Sequence, residues 1–250
     1  MTIKGKAYIA GAYEHPLRKA PDKSVSQLHA ESAKGALEDA GLTKDDIDGY
    51  FCAGDAPGAN VWSMANYMNL TKLRHVDSSD MGGCSYLVHV AHAAEAIAAG
   101  KCNVALITLA GRPNSEGSSG TQVRDRGVNM PDAPFEMPHS PVTVNLYAMC
   151  AMLHMHKYGT TSEQLAWVKV AASHHAQHNP SAMLQNVVTV EEVVNSPMIS
   201  DPLHRLDCCV VSDGGGALIV TRPEIAKKLK RPAVKIIGVG ETTKHQMGGK

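Results

Sequence analysis

The segment "SYLVHVAHAAEAIAA", Ser85 to Ala99, has helical spacing and carries apolar residues nearly all round its axis. A helix on a protein surface keeps a polar face towards water, so one without such a face is expected to be buried between layers. The chain is therefore expected to build more than three layers around this segment. Gly100 ends the helix, and "GGC", Gly82 to Cys84, precedes it. The next stretch, "NVALITLAG", is apolar on both faces, as in a strand of a sheet covered on both sides.

Elements of both periods alternate on either side. "KAYIAGAYE" reads as a first strand. A helix then starts near Ser24, with Ser24 or Ser26 as its cap and Leu28, Ala33, Ala36, Leu37 and Ala40 as its apolar stripe. "TKDDIDGYFCAG" combines an acidic helix start with a short strand, "VWSMANYMNL" is a short helix, and "RHVDSS" is a strand leading into the glycine turn. This order predicts a largely parallel α/β sheet. From Arg112 to Leu206 the character changes. A long Pro-, Gly- and Ser-rich stretch leads into two helical stretches, "TVNLYAMCAMLHMHKYG" and "TSEQLAWVKVAASHHAQHNP", so residues 112–206 form an excursion from the sheet. The chain returns over 207–232 through "SDGGGA", read as a tight turn, and the strand "ALIVT". "AVKIIGVGE" is a further strand, within 233–250.

Composition narrows the partners. Lys+Arg and Asp+Glu stand at 24 each, which gives no basic surface for nucleic acid. No run reaches the roughly 18–20 apolar residues that span a bilayer, and the first residues have no apolar core of a signal peptide. Six irregularly spaced cysteines do not form a disulfide framework, so a reducing, cytoplasmic setting is expected.

Cys84 is the candidate nucleophile. A helix N-terminus stabilises a thiolate, and Gly82 and Gly83 let the backbone turn sharply before it. With Ser85 they would support the turn and an oxyanion. The same residues also suit a tight turn that only makes room for a buried helix. Ser212, Asp213, Gly214 and His89 are expected to line the site, with Asp213 capping backbone amides. The "SDGGGA" glycines precede a strand, not a helix, which disfavours a phosphate cradle. His174 and His178 share a helix face, but neither a glutamate between them nor a CxxC pair completes a zinc motif, so no metal is expected. Met149, Met152 and Met155 are read as core, though methionine surfaces also adapt to apolar ligands.

Four stretches together resemble the thiolase superfamily, in particular its sterol-carrier-protein-x or lipid-transfer-protein branch. They are "ESAKGALEDAGLTKDDIDGYFCAG", "GGCSYLVHVAHAAEAIAAGKCNVALITLAG", "MHKYGTTSEQLAWVKVAASHHAQHNPSAM" and "ISDPLHRLDCCVVSDGGGALIVT". The resemblance implies an α/β thiolase-like fold of αβαβα layers. Residues 1–111 would be the first part of the N-terminal half, 112–206 a helical loop domain, 207–232 the return to the sheet, and 233–250 the first strand of a second half that is largely absent. It also implies acyl transfer from 3-oxoacyl-CoA, or the reverse condensation, through a thioester on Cys84, with the base histidine and a second cysteine supplied by the second half. The family's C-A-S-G pattern is replaced here by "CSYL". Some members of this branch are lyases that cleave carbon–carbon bonds without an acyl-cysteine. A retro-aldol lyase acting on a branched or steroid side-chain acyl-CoA with an OB-fold partner is therefore the alternative. A non-catalytic acyl-CoA or lipid-binding module is a third reading. Coenzyme A thioester would be the substrate, with no tightly bound cofactor. A homodimer, and an OB-fold protein or a separate second thiolase half, would be the partners.

Overall fold

The computed structural model describes residues 3–54, 56–117, 133–139 and 142–242. The chain opens with strand β1 (Tyr8–Glu14) and helix α1 (Val25–Ala40), followed by β2 (Gly49–Phe51), α2 (Val61–Tyr67), β3 (His75–Asp77), α3 (Ser85–Ala98) and β4 (Val104–Gly111). Helices α4 (Ala133–Glu136), α5 (Thr143–Tyr158), α6 (Ser162–Ala176) and α7 (Val190–Val194) come next, then strands β5 (Met198–Ser200) and β6 (Leu203–His204). Strand β7 (Gly214–Thr221), helix α8 (Pro223–Ala226) and strand β8 (Val234–Lys235) complete the order. Contacts divide the chain into two compact units. One runs to Glu116 and resumes over Ser212–Thr242; the other includes Gly117–Val211.

The first unit is a six-stranded sheet in the order β3-β2-β4-β7-β1-β8. Strands β3, β2 and β4 are parallel, but β7 runs antiparallel between β4 and β1, and β8 antiparallel on the far side of β1. The sheet is thus mixed, not largely parallel: helical crossovers impose parallel pairing on its first three strands only. Helix α1 packs on one face through Ala33, Ala36, Leu37 and Ala40 against Tyr50, Leu106 and Ile219. Helix α3 covers the other face through Ala93, Ala94, Ala96 and Ile97 against Phe51, Ala105 and Ile107.

Ser24 caps α1 by accepting a hydrogen bond from the Gln27 amide (3.1 Å), and Gly41 ends the helix in the left-handed conformation. The "SDGGGA" glycines are not a turn. Gly214, Gly215 and Gly216 already belong to β7 and pair with Gly111, Ala110 and Leu109. Glycines carry no side-chain alternation from which a strand can be read. Of "AVKIIGVGE", only Val234–Lys235 is strand. Nor is α3 enclosed all round, since Leu87 is 75 % exposed.

In the second unit, Ala166, Val170 and Val193 form a small core with Leu206 packed against it. Helix α6 opens with a reciprocal cap, Thr161 on the Gln164 amide and Gln164 on the Thr161 amide. Among the described residues no helix is long and apolar enough to cross a membrane.

Candidate active site

The parallel strands β2, β3 and β4 all point their C-terminal ends to one side, with Phe51 level with Asp77 and Ile107. Ligands of open α/β sheets bind beyond such strand ends. The turn that carries Cys84 follows β3 there, and Asp213 stands just before β7 at the same end, where Gly214 pairs with Gly111.

The turn is built by its own side chains. Gly82 has φ +64°, a conformation that an L side chain resists. Its amide donates to Asp80 Oδ1 (3.0 Å). The Ser85 hydroxyl accepts from the Met81 amide (2.8 Å) and donates to the Gly82 carbonyl (2.6 Å), clamping the glycines against the first turn of α3. Cys84 is the N-cap residue of α3 and is exposed; its thiol donates to the Met81 carbonyl (Sγ···O 3.0 Å). Among the described residues it makes no hydrogen bond to a histidine. Beside it lies a cleft of about 590 Å³, walled by Met81, Leu87 and Val88 on one side and by Ile237, Val239 and Glu241 on the other.

Two histidines of α3 tie the helix back to the segment that feeds the turn. His89 is buried, and its Nε2–H donates to the Ser79 carbonyl (2.9 Å). Burial outweighs that bond and lowers its pKa, so the ring is held neutral. His92 Nδ1 donates to Asp77 Oδ2 (2.6 Å), and Asp77 Oδ1 accepts from the Ser79 amide (2.8 Å) and hydroxyl (2.7 Å).

Asp213 acts at a distance from this clamp. Its carboxylate accepts from the amides of Ala20 (2.8 Å), Asn114 (2.9 Å) and Ser115 (3.0 Å) and from the Ser115 hydroxyl. Burial opposes ionisation, but these bonds prevail and hold the carboxyl below its ordinary range. The structure thus gathers Gly82, Gly83 and Ser85 around Cys84, whereas His89 is buried, bonded to Ser79, and does not line the Cys84 cleft. Ser212, Asp213 and Gly214 share the end of the sheet without lining the Cys84 cleft.

Sequence reading missed two arrangements. In one, the Thr108 hydroxyl joins the Tyr50 hydroxyl (2.8 Å) and His29 Nδ1 (2.9 Å) inside the sheet–helix core. Burial pushes His29 down to about 4. In the other, Glu31 accepts from His15 (2.8 Å), Lys23 (2.8 Å) and Gln27 (3.0 Å). Each joins a residue of α1 to distant strand or loop residues, and the helical positions of His29 and Glu31 are the only sequence signal for them. In the second unit His154 bonds to the Thr160 hydroxyl and meets the Tyr158 ring at a tilt of 49°. Among the described residues no three histidine, cysteine or carboxylate side chains converge as a metal site.

No protein-family model matches the chain. It is 34 % identical over 248 residues to the steroid side-chain-cleaving aldolase of Thermomonospora curvata, covering 96 % of this chain and 62 % of that protein. An acetyl-CoA acetyltransferase of Methanothermobacter thermautotrophicus is 32 % identical over 219 residues, 83 % of this chain and 54 % of the relative. The solved Ltp2-ChsH2(DUF35) aldolase superposes with a TM-score of 0.85 and 31 % identity, over 99 % of this chain and 64 % of that one. The chain therefore spans less than two thirds of the length of these relatives. Enzymes of both kinds are among its relatives and thiolases and an SCP2-thiolase-like protein are among its structural neighbours, so the chain has a thiolase-like fold and is similar to proteins of the thiolase superfamily.

Proposed function

We propose that this chain forms part of a retro-aldol lyase acting on a branched 3-hydroxyacyl-CoA. In such a reaction a base takes the proton of the 3-hydroxyl, the C2–C3 bond breaks, and a ketone or aldehyde leaves. The electron pair enters the thioester enolate, which is then protonated at C2. The observation that carries this reading is the similarity to the steroid side-chain-cleaving aldolase over 96 % of the chain. The cleft next to Cys84 would take the apolar acyl body, and Gly83 would present its amide towards the thioester, the Gly82 amide being held by Asp80. A DUF35-type protein, as in the solved aldolase, is the proposed partner.

The exposed position of Cys84 at the N-terminus of α3, together with the acetyl-CoA acetyltransferase relative, favours acyl transfer as the second reading. One experiment separates the two. The protein, with a DUF35-type partner, is given a branched 3-hydroxyacyl-CoA without free CoA, and carbonyl release is followed by mass spectrometry. Release that survives Cys84→Ala supports the lyase. Turnover of a 3-oxoacyl-CoA that needs free CoA, passes through an acetyl adduct on Cys84 and stops in Cys84→Ala supports acyl transfer.

A further inference from the structure

The chain leaves the six-stranded unit after Glu116 and re-enters it at Ser212. Both passages run past one carboxylate, that of Asp213, which is buried. Its Oδ1 accepts from the amides of Asn114 (2.9 Å) and Ser115 (3.0 Å), on the outgoing passage. Its Oδ2 accepts from the Ser115 hydroxyl and from the amide of Ala20 (2.8 Å), in the loop after β1. The Asp213 amide, on the returning passage, donates to the Arg18 carbonyl (2.9 Å). Two passages and one loop are thus fastened by a single side chain, with both oxygens in use. Next to this fastening each passage carries a glycine in a conformation that other residues resist, Gly117 at φ +67° and Gly214 at φ +137°. Residues 209–213 belong to no helix or strand.

We propose that Asp213 is the pin of a hinge: its carboxylate holds the outgoing and returning passages together, and without it the unit of Gly117–Val211 swings as a body about the two glycines. Hinges of this kind are a few loop or element-terminal residues that absorb the change in backbone angles while the bodies they join stay intact. Hydrogen bonds to a charged acceptor are stronger than those between neutral groups, so four donors on one buried carboxylate make a firm closure. The pairing of β7 begins at Gly214, the residue after the pin, so its first residues are three glycines without side chains to set a register. Asp213 supplies the side-chain anchor that those glycines lack. The pin lies at the sheet end beyond which ligands of open α/β sheets bind, so a swing of the excursion alters the approach to that end. The hinge holds whichever reaction takes place there.

The chain's two tryptophans allow the motion to be read directly, since Trp62 lies on α2 in the sheet unit and Trp167 on α6 in the excursion. Trp62→Phe leaves Trp167 as the sole reporter, and its fluorescence anisotropy decay follows the tumbling of the excursion. The test variant is Asp213→Asn, which keeps the shape of the side chain. Whichever way the amide is turned, its NH2 group faces two donors, so half of the closure is lost. In the parent, Trp167 should tumble with the whole chain. In Asp213→Asn a faster component should appear, set by the smaller mass of the excursion, while circular dichroism stays unchanged. Amides of Ala20, Asn114 and Ser115 should exchange about tenfold faster or more, as expected when hydrogen bonds to a charged group are lost. Those of β4 over 104–108 should not change. An identical anisotropy decay in parent and variant overturns the proposal, even if exchange rises, and so does a parent that already shows the faster component. Should Asp213→Asn fail to fold, Ser115→Ala, which removes the hydroxyl bond alone, decides: the faster component appears with smaller amplitude, or the proposal falls.

Discussion

Ser85 is the first residue of a helix whose pattern is otherwise apolar, and its hydroxyl does what none of its neighbours can: it satisfies the Met81 amide and the Gly82 carbonyl together. Because Ser85 is fully buried, removing the hydroxyl leaves both groups with weakened partners in a place water does not easily reach. Ser85→Ala should lower stability by about 1–3 kcal/mol in urea titration, whereas Cys84→Ala, at an exposed position, should stay within about 0.5 kcal/mol. His29 gives a pH signature of its own. Its folded pKa, about 4, lies below the ordinary 6.5, so the unfolded chain binds the proton more tightly. The neutral ring's contribution is therefore complete above pH 6.5 and is lost as the pH falls from 6.5 towards 4. The span corresponds to about 3 kcal/mol at most. Stability measured from pH 7.5 to pH 4.5 should decline less steeply in His29→Gln than in the parent, and equal slopes would mean that the imidazole is charged in the fold.

At the scale of elements, α1 lies on β1 closely enough that side chains are excluded between them. A methyl group on Gly11 would stand 2.4 Å from the Ala36 carbonyl oxygen and 2.8 Å from Ala40 Cβ. The oxygen belongs to the helix backbone, so relief requires moving the whole of α1. Gly11→Ala should cost about 1–3 kcal/mol, seen as a lower melting temperature with no change in the Cys84 alkylation rate. Such contacts explain which elements could be read from sequence. Helix α1 has a serine cap, a periodic apolar stripe and a terminal glycine, and each signal is local. Strand β4 reveals its burial on both sides through "VALITLA". The first half of β7 is hidden because its residues are Gly214, Gly215 and Gly216, whose pairing depends on β4 and β1, far away in the chain. The antiparallel insertion of β7 is hidden for the same reason. The site divides along the same line. The turn around Cys84 was legible because glycines, cysteine and helix are contiguous. The ties from His92 to Asp77 and Glu241 join three separate segments, and nothing local marks His92 among the histidines of the chain.

At the scale of the molecule, the two readings of the chemistry place the same demand on the cleft beside Cys84. It must hold the acyl part of a CoA thioester, and its walls of Met81, Leu87, Val88, Ile237 and Val239 offer that part an apolar contact. Each methylene removed from water contributes about 0.8 kcal/mol, so lengthening a saturated acyl chain from butanoyl to hexanoyl should add about 1.6 kcal/mol, or roughly a fifteenfold gain in affinity. A ligand that binds only the folded state raises its stability by an amount set by concentration over Kd, about 2.7 kcal/mol at a hundredfold excess. Thermal shifts at one fixed concentration should therefore rank hexanoyl-CoA above butanoyl-CoA and butanoyl-CoA above free CoA. Leu87→Ser should compress that ranking, because Leu87 is 75 % exposed in the unliganded protein and its loss has little to disturb in the core. Equal shifts for all three ligands would place the acyl group outside this cleft, and the thioester would then have to approach Cys84 from the side of the sheet end where Asp213 secures Ala20, Asn114 and Ser115.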